Sequence, residues 1–198
     1  MMFDATHREA LATARLSLEP LTARHAEEMA PLLSDKELYE FLALDPPTSV
    51  EALAERYERL SRGYPDAGDE VWLNWIIRER DSGSAIGYVQ ATIYEDMSCE
   101  LSVMIARELW AKGFATEACR AVLPTLWLEF GVERLEAALD HRNMGAATVA
   151  ERLGFTYYDA AESRDYHNGR PTEEVLLVCD RPSAHAQAVG PQRARTTG

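Results

Sequence analysis

"ELSVMIARELWAKGFATEACRAVLPTLWLEFGVERLEAAL", residues 100–139, changes its apolar period twice. The opening "ELSVMIA" (100–106) alternates apolar and polar residues, which predicts a strand. From Ala115 onward, Ala118, Cys119, Val122, Leu123, Leu126, Trp127 and Phe130 recur at steps of three and four. That spacing predicts an amphipathic helix, with Gly131 in the stop position. Pro124 lies inside it. An interior proline has no N–H to donate and costs roughly 3 kcal/mol, so a kink is expected there. "ERLEAALDH" (133–141) then predicts a second strand. Between strand and helix stands "WAKGFAT" (110–116), where Lys112, one of the chain's two lysines, sits beside Gly113.

A helix N-terminus leaves backbone N–H groups unpaired and carries partial positive charge. A glycine in the loop before it lets further N–H groups converge, and phosphate oxygens fit such a volume. Gly113 permits the close approach, Lys112 adds a full charge, and Ala111 and Ala115 keep the entrance small. An ordinary loop with a solvated lysine accounts for the same residues, since short glycine motifs recur by chance.

Upstream, "ARLSLEPL" (14–21) reads as a first strand, and "TARHAEEMAPLLSD" (22–35) as a helix behind Thr22 that Pro31 kinks or ends. "KELYEFL" (36–42) continues as a short helix. Val50, Leu53, Tyr57 and Leu60 lie on one face of a further helix after Ser49, ending near Gly63. "VWLNWIIRE" (71–79) and "AIGYVQATIYE" (85–95) flank "RDSGS", a hairpin signal. Downstream, "NMGAATVAERLGF" (143–155) predicts a helix ended by Gly154, and "TYYD" a strand. "AAESRDYHNGRPTE" (160–173) reads as a polar hairpin loop and "EVLLVCD" (174–180) as the last strand. The organisation is an N-terminal extension (1–13), one domain (14–181) and a mobile C-terminal tail (182–198). Its fold class is α/β, of the α+β kind: a mixed, largely antiparallel central sheet flanked by helices.

The 198 residues are 46% hydrophobic, enough for one substantial core. A formal net charge of −13 with no Lys/Arg cluster argues against a nucleic-acid partner and suits cationic ones, although acidity also serves solubility. Cys99, Cys119 and Cys179 are odd in number and lack CxxC spacing, so neither a disulfide framework nor a metal site is expected. No signal peptide is read at the start, and "AVLPTLWL" (121–128) is too short to span a bilayer. The expectation is a soluble, cytoplasmic protein without a membrane partner.

Three ordered segments resemble the GCN5-related N-acetyltransferase (GNAT) family, in particular its RimJ/RimL branch of ribosomal-protein acetyltransferases. They are "AIGYVQATIY", the 100–139 stretch, and "RNMGAATVAERLGF". Order and spacing match from about residue 14 to residue 180. The resemblance implies the GNAT fold and acetyl-CoA as co-substrate, with no metal. It implies that Val103, Met104 and Ile105 offer backbone groups to the pantetheine arm. It places the pyrophosphate at Trp110, Ala111, Lys112, Gly113, Phe114, Ala115 and Thr116, and a pantetheine contact at Asn143, whose other reading is a helix cap. Three positions depart from the family pattern: Trp110 replaces a common Gln or Arg, Ala146 a common Ser, and Ala150 a tyrosine acid.

Acetyl transfer to an amine needs a proton acceptor, an oxyanion donor and a leaving thiolate. Glu100 is the first candidate base, acting through a water, and His141 the second. Each also has a structural reading, as a strand-end carboxylate and a strand-end histidine. Asp140 is a candidate contact for a cationic substrate, a backbone N–H near Met104 the oxyanion donor, and Tyr166 a source of the thiolate's proton. The expected activity is direct transfer from the thioester to a primary amine: a protein N-terminus, a polyamine or another cationic small molecule. The enzyme is expected as a monomer or homodimer. The alternative is a non-catalytic CoA-binding or sensing domain of the same fold.

Overall fold

Apolar–polar alternation through residues 71–93 draws the chain into its two longest strands, and the tight turn at Gly83 (φ +71°) closes the hairpin between them. The computed structural model describes residues 9–42, 44–65, 70–159, 166–167, 170–171 and 174–182. Their strands are β1 (Leu11–Ala12), β2 (Leu16–Pro20), β3 (Val71–Glu79), β4 (Ala85–Ile93) and β5 (Ser98–Ile105). β6 (Arg134–Asp140), β7 (Thr156–Asp159), β8 (Tyr166–His167), β9 (Arg170–Pro171) and β10 (Glu174–Asp180) follow. The α-helices are α1 (Ala26–Leu33), α2 (Val50–Ser61), α3 (Phe114–Pro124) and α4 (Met144–Leu153).

Eight strands form one sheet in the order β1-β2-β3-β4-β5-β6-β10-β7, while β8 and β9 pair by themselves. Every neighbouring pair is antiparallel except β5 and β6. A parallel pair cannot be joined by a tight turn and needs a long crossover, which α3 supplies. The mixed, largely antiparallel sheet is the class expected from the sequence. Leu11–Ala12, assigned to the leader by sequence, instead form β1 against β2. The tail from residue 183 lies outside the described residues.

Strand alternation sends side chains to two cores. On one face Val89, Ala91, Leu101 and Ile105 pack with Phe114, Ala118, Val122 and Leu126 of the α3 segment. On the other, Ile76 and Met104 pack with Met29 and Leu33 of α1 and Leu53 and Tyr57 of α2. Ser49 caps α2 by accepting the Ala52 N–H at 3.1 Å. Helix α1 runs through Pro31 to Leu33, and residues 36–39 make a 3-10 turn rather than an α-helix.

The misfit at Pro124 is resolved by a change of helical register. Thr125–Glu129 form a π-helical turn in which the Phe130 N–H reaches the Thr125 carbonyl at 3.2 Å. Widening the turn after a proline is one of the recognised ways of absorbing the lost bond. Leu126 and Trp127 stay buried across the change, and Gly131 (φ +71°) ends the segment.

Gly87 fixes how closely β4 and β5 approach. Ile77 faces Gly87 and Arg78 faces Ala85, leaving Ile86 as the extra residue of a bulge. A Cβ at position 87 would lie 2.0 Å from the Met104 carbonyl oxygen. Gly87→Ala must therefore displace β5 backbone. Overpacking typically costs about 1–3 kcal/mol, and backbone displacement puts this variant at the upper end. Urea unfolding that shows a wild-type midpoint would refute the close approach.

Candidate active site

β5 and β6 run side by side only over Ser98–Glu100 and Arg134–Glu136. Beyond Glu100 they part: β5 stays paired with β4 to Ile105, and β6 with β10 to Asp140. Tyr94 N–H to Ser98 O (2.9 Å) and Ala106 N–H to Ile86 O (2.8 Å) set the phase of the β4–β5 ladder. In an antiparallel ladder alternate residues bond the same neighbour. Met104 therefore spends its backbone groups on β4, and its side chain is buried against α1 and α2. Of the three sequence candidates here, Val103 and Ile105 turn their backbone groups toward the gap. The Ile105 carbonyl already accepts the Trp110 indole N–H at 2.8 Å.

α3 starts at this gap. Gly113 precedes it with φ +81°, a left-handed conformation that only glycine adopts without strain. Ala111 is also left-handed (φ +59°), an uncommon state for a residue with a Cβ. Successive backbone N–H groups around such left-handed residues form anion-binding concavities. Among the described residues no acceptor meets the N–H groups of residues 111 to 116, and the first bond of this end is Glu117 N–H to Gly113 O at 3.0 Å. Lys112 is exposed and makes no ion pair among the described residues. Phe114 and Thr116 are buried, and the Thr116 hydroxyl has no partner among the described residues. Thr116 thus brings its amide, not an exposed hydroxyl, to the mouth.

Two residues that sequence reasoning missed hold this loop. Arg15 donates from Nη1 to the Lys112 carbonyl (3.0 Å) and from Nε to Glu117 (2.7 Å), and stacks 4.3 Å over the Phe114 ring. Glu117 also accepts from the Thr13 hydroxyl at 2.6 Å and the Arg15 amide at 3.0 Å. The β1–β2 turn therefore clamps the first turn of α3. No local signal marks a contact between positions 15 and 117.

Asn143 caps α4 by accepting the Ala146 N–H at 2.9 Å through Oδ1, which leaves its Nδ2 without a partner among the described residues. Asp140, a candidate substrate contact by sequence, is 2% exposed and engaged within its own turn. It accepts the Arg142 amide at 2.9 Å and the guanidinium at 2.8 and 2.5 Å. The Arg142 bonds hold its carboxyl at a pKa of about 2 against the opposing effect of burial. His141 is half-exposed with Nδ1 3.8 Å from Asp140, and no hydrogen bond links it to Glu100. The two candidate bases thus stand on separate strands, β5 and the end of β6.

Glu100 is exposed where β5 and β6 separate, and its carboxylate accepts the Tyr94 hydroxyl at 3.2 Å. Its partner across the parallel pair is Glu136. Like charges in register repel, so this pair makes a local field that attracts cations. Burial pushes the Tyr94 phenol up to about 12, aided by Glu100. Cys99 is fully buried and its thiol is pushed up to about 12 by burial, which keeps it from acting as a nucleophile. Ala150 is buried on α4, so no hydroxyl reaches the gap from that position. The side chain of Tyr166 lies outside the described residues. Among the described residues no group of His, Cys, Asp or Glu is placed to hold a metal ion.

A family profile described as "Acetyltransferase (GNAT) domain" matches residues 15–156. The "Uncharacterized N-acetyltransferase YoaA" of Bacillus subtilis (strain 168) is 24% identical over 174 residues, covering 87% of this chain and 97% of that one. The acetyltransferase (GNAT family) of Bacillus anthracis superposes with a TM-score of 0.72 at 16% identity, covering 87% and 98% of the two chains. RimL, a ribosomal L7/L12 alpha-N-protein acetyltransferase solved in complex with coenzyme A, superposes with a TM-score of 0.76 at 17% identity, covering 87% and 98%.

Asp140 carries an acid-stability prediction. Its folded pKa is depressed, so its contribution is full above the unfolded value and fades as pH falls from about 4 toward 2. With Arg142 partly exposed the effect is about 1–2 kcal/mol. Asp140→Asn should lower stability at pH 7 and flatten the curve between pH 4 and 2. Parallel curves for the two proteins across that window would refute the assignment.

Proposed function

The chain belongs to the GNAT acetyltransferase family and is an N-acetyltransferase; from this we propose that it moves an acetyl group directly from acetyl-CoA to a primary amine of a cationic acceptor. A protein N-terminus, a polyamine or another small amine falls in that class. The observation that carries the reading is the run of unbonded amides at residues 111–116 beside the gap between β5 and β6. An array of this kind binds phosphate oxygens without any side-chain movement.

In this reading Ala111, Lys112, Gly113, Phe114, Ala115 and Thr116 hold the diphosphate through their amides, and Lys112 adds its charge. Trp110 contributes packing, since its N–H is used within the protein. Val103 and Ile105 pair with the pantetheine amides, while Met104 shapes the strand between them. Asn143 reaches the same arm through Nδ2 while Oδ1 caps α4. The thioester supplies an acyl group whose leaving thiolate is tolerable, with a thiol pKa near 8.5.

Glu100 takes the proton that the ammonium form of the acceptor must lose, through a water, and Tyr94 orients its carboxylate. The amine nitrogen then bonds to the carbonyl carbon as the C–S bond breaks. A backbone N–H of β5 facing the gap, from Val103 or Ile105, stabilises the developing oxyanion. Glu100 and Glu136 together favour a positively charged acceptor. His141 is the second candidate base. The folded unit is proposed to span the 14–181 domain together with β1. Among the described residues no helix is long and apolar enough to cross a membrane. The free thiols, with Cys99 and Cys119 buried, fit a reducing cytoplasm.

A thiol-release assay over an amine panel tests the activity. Glu100→Gln should lower kcat by about 100-fold or more, the usual scale for general-base loss, with acetyl-CoA affinity unchanged. His141→Ala should stay within about threefold of wild type on the same scale. The reverse ranking would move the base to His141. Arg15→Ala should weaken acetyl-CoA binding by about tenfold by releasing the loop, read by calorimetry. Undiminished affinity would remove the clamp from the cofactor site.

A further inference from the structure

A second polar recess lies on the α1–α2 face of the sheet. It opens to solvent and is lined by Tyr39, Arg56, Tyr57, Asn74, Tyr88 and Gln90 among apolar neighbours. In a chain of net charge −13, no Asp or Glu among the described residues lines it. Arg56, half-buried on α2, makes no hydrogen bond and no ion pair among the described residues. Tyr57 is 4% exposed, and its hydroxyl has no hydrogen-bond partner among the described residues. Leaving such a donor unmade costs free energy that a native site recovers only through a ligand or water. Gln90 donates to Asn74 Oδ1 at 2.7 Å, which fixes the amide floor of the recess.

We propose that this recess binds a carboxylate of the acceptor, held by the Arg56 guanidinium and the Tyr57 hydroxyl. The inference rests on the acetyl-transfer reading only for the identity of the molecule that carries the carboxylate. A guanidinium with adjacent hydroxyl donors matches the two oxygens of a carboxylate in geometry as well as charge. Burial raises the pKa of both phenols, Tyr88 to about 12, so each stays an O–H donor at neutral pH.

The register relates the recess to the acetyl-transfer site. Gln90 pairs with Ser102, and Glu100 lies two residues along the same strand. One strand spacing and two residue rises put their Cα atoms about 8 Å apart on one face of the sheet. Gln90 lines the recess, so the recess and Glu100 share one face of the sheet, and an acceptor that reaches both has its amine and its carboxylate separated by several bonds. Two sources share that chemistry: an amino acid's own carboxylate, and an acidic side chain near a peptide N-terminus.

Two experiments test it. The first is calorimetric titration of the full chain with succinate and with succinamide, for wild type, Arg56→Gln and Tyr57→Phe. Succinate alone should bind, Arg56→Gln should abolish binding, and Tyr57→Phe, which keeps the ring, should weaken it. Absent succinate binding, or binding indifferent to Arg56→Gln, overturns the carboxylate site whether or not the enzyme turns over. The second compares kcat/KM for 5-aminopentanoate against pentylamine, and for a tripeptide amide with Glu against Gln at its second position. A preference of at least about tenfold for the acid in one pair, falling toward unity in Arg56→Gln, supports the assignment and identifies the source. Turnover blind to the carboxylate overturns it and leaves acetyl transfer standing. No turnover of any amine counts against the proposed function, and the succinate titration still decides the recess.

Discussion

The partial pairing of β5 with β6 is the constraint on which the rest of this structure depends. Each strand is claimed along its length by an antiparallel partner, β4 on one side and β10 on the other. Twist accumulates in both halves of the sheet, and the two strands stay in contact over three residue pairs before separating. The separation leaves backbone groups of Val103 and Ile105 without a neighbouring strand. In a closed sheet those groups would be saturated and no ligand would find them.

The crossover helix makes the opening useful. A parallel pair requires a long connection, so the start of α3 necessarily lies near the end of β5. The left-handed residues Ala111 and Gly113 then give the loop the kind of backbone in which successive amides gather around an anion. Arg15, from the β1–β2 turn, holds that conformation through its ion pair with Glu117 of α3. The clamp offsets the strain of a left-handed alanine, which persists only when its surroundings over-determine it.

Charge is divided unevenly over a strongly acidic molecule. Glu100 and Glu136 concentrate negative charge where the strands part, whereas Asp140 is neutralised by Arg142 within its turn. Arg56 stands apart with three tyrosines and, among the described residues, no carboxylate. Net charge describes the far field of this protein; the local arrangement decides which end of an acceptor is attracted where.

Much of the architecture was legible in the sequence, because it depends on neighbours three or four residues away. Period two and period 3.6 placed the strands and helices, and Gly113, Gly131 and Gly154 marked real left-handed positions. The motif order carried the family, and Asn143 showed as a cap because capping is a local bond. Tertiary structure alone decided that Met104 is spent on β4 and that Asp140 is sealed by Arg142. It alone joined Tyr94 and Glu136 to Glu100, and Arg15 to the α3 mouth. Strand register and long-range side-chain pairing depend on how distant segments pack, and no spacing along one chain encodes which carboxylate will meet which guanidinium.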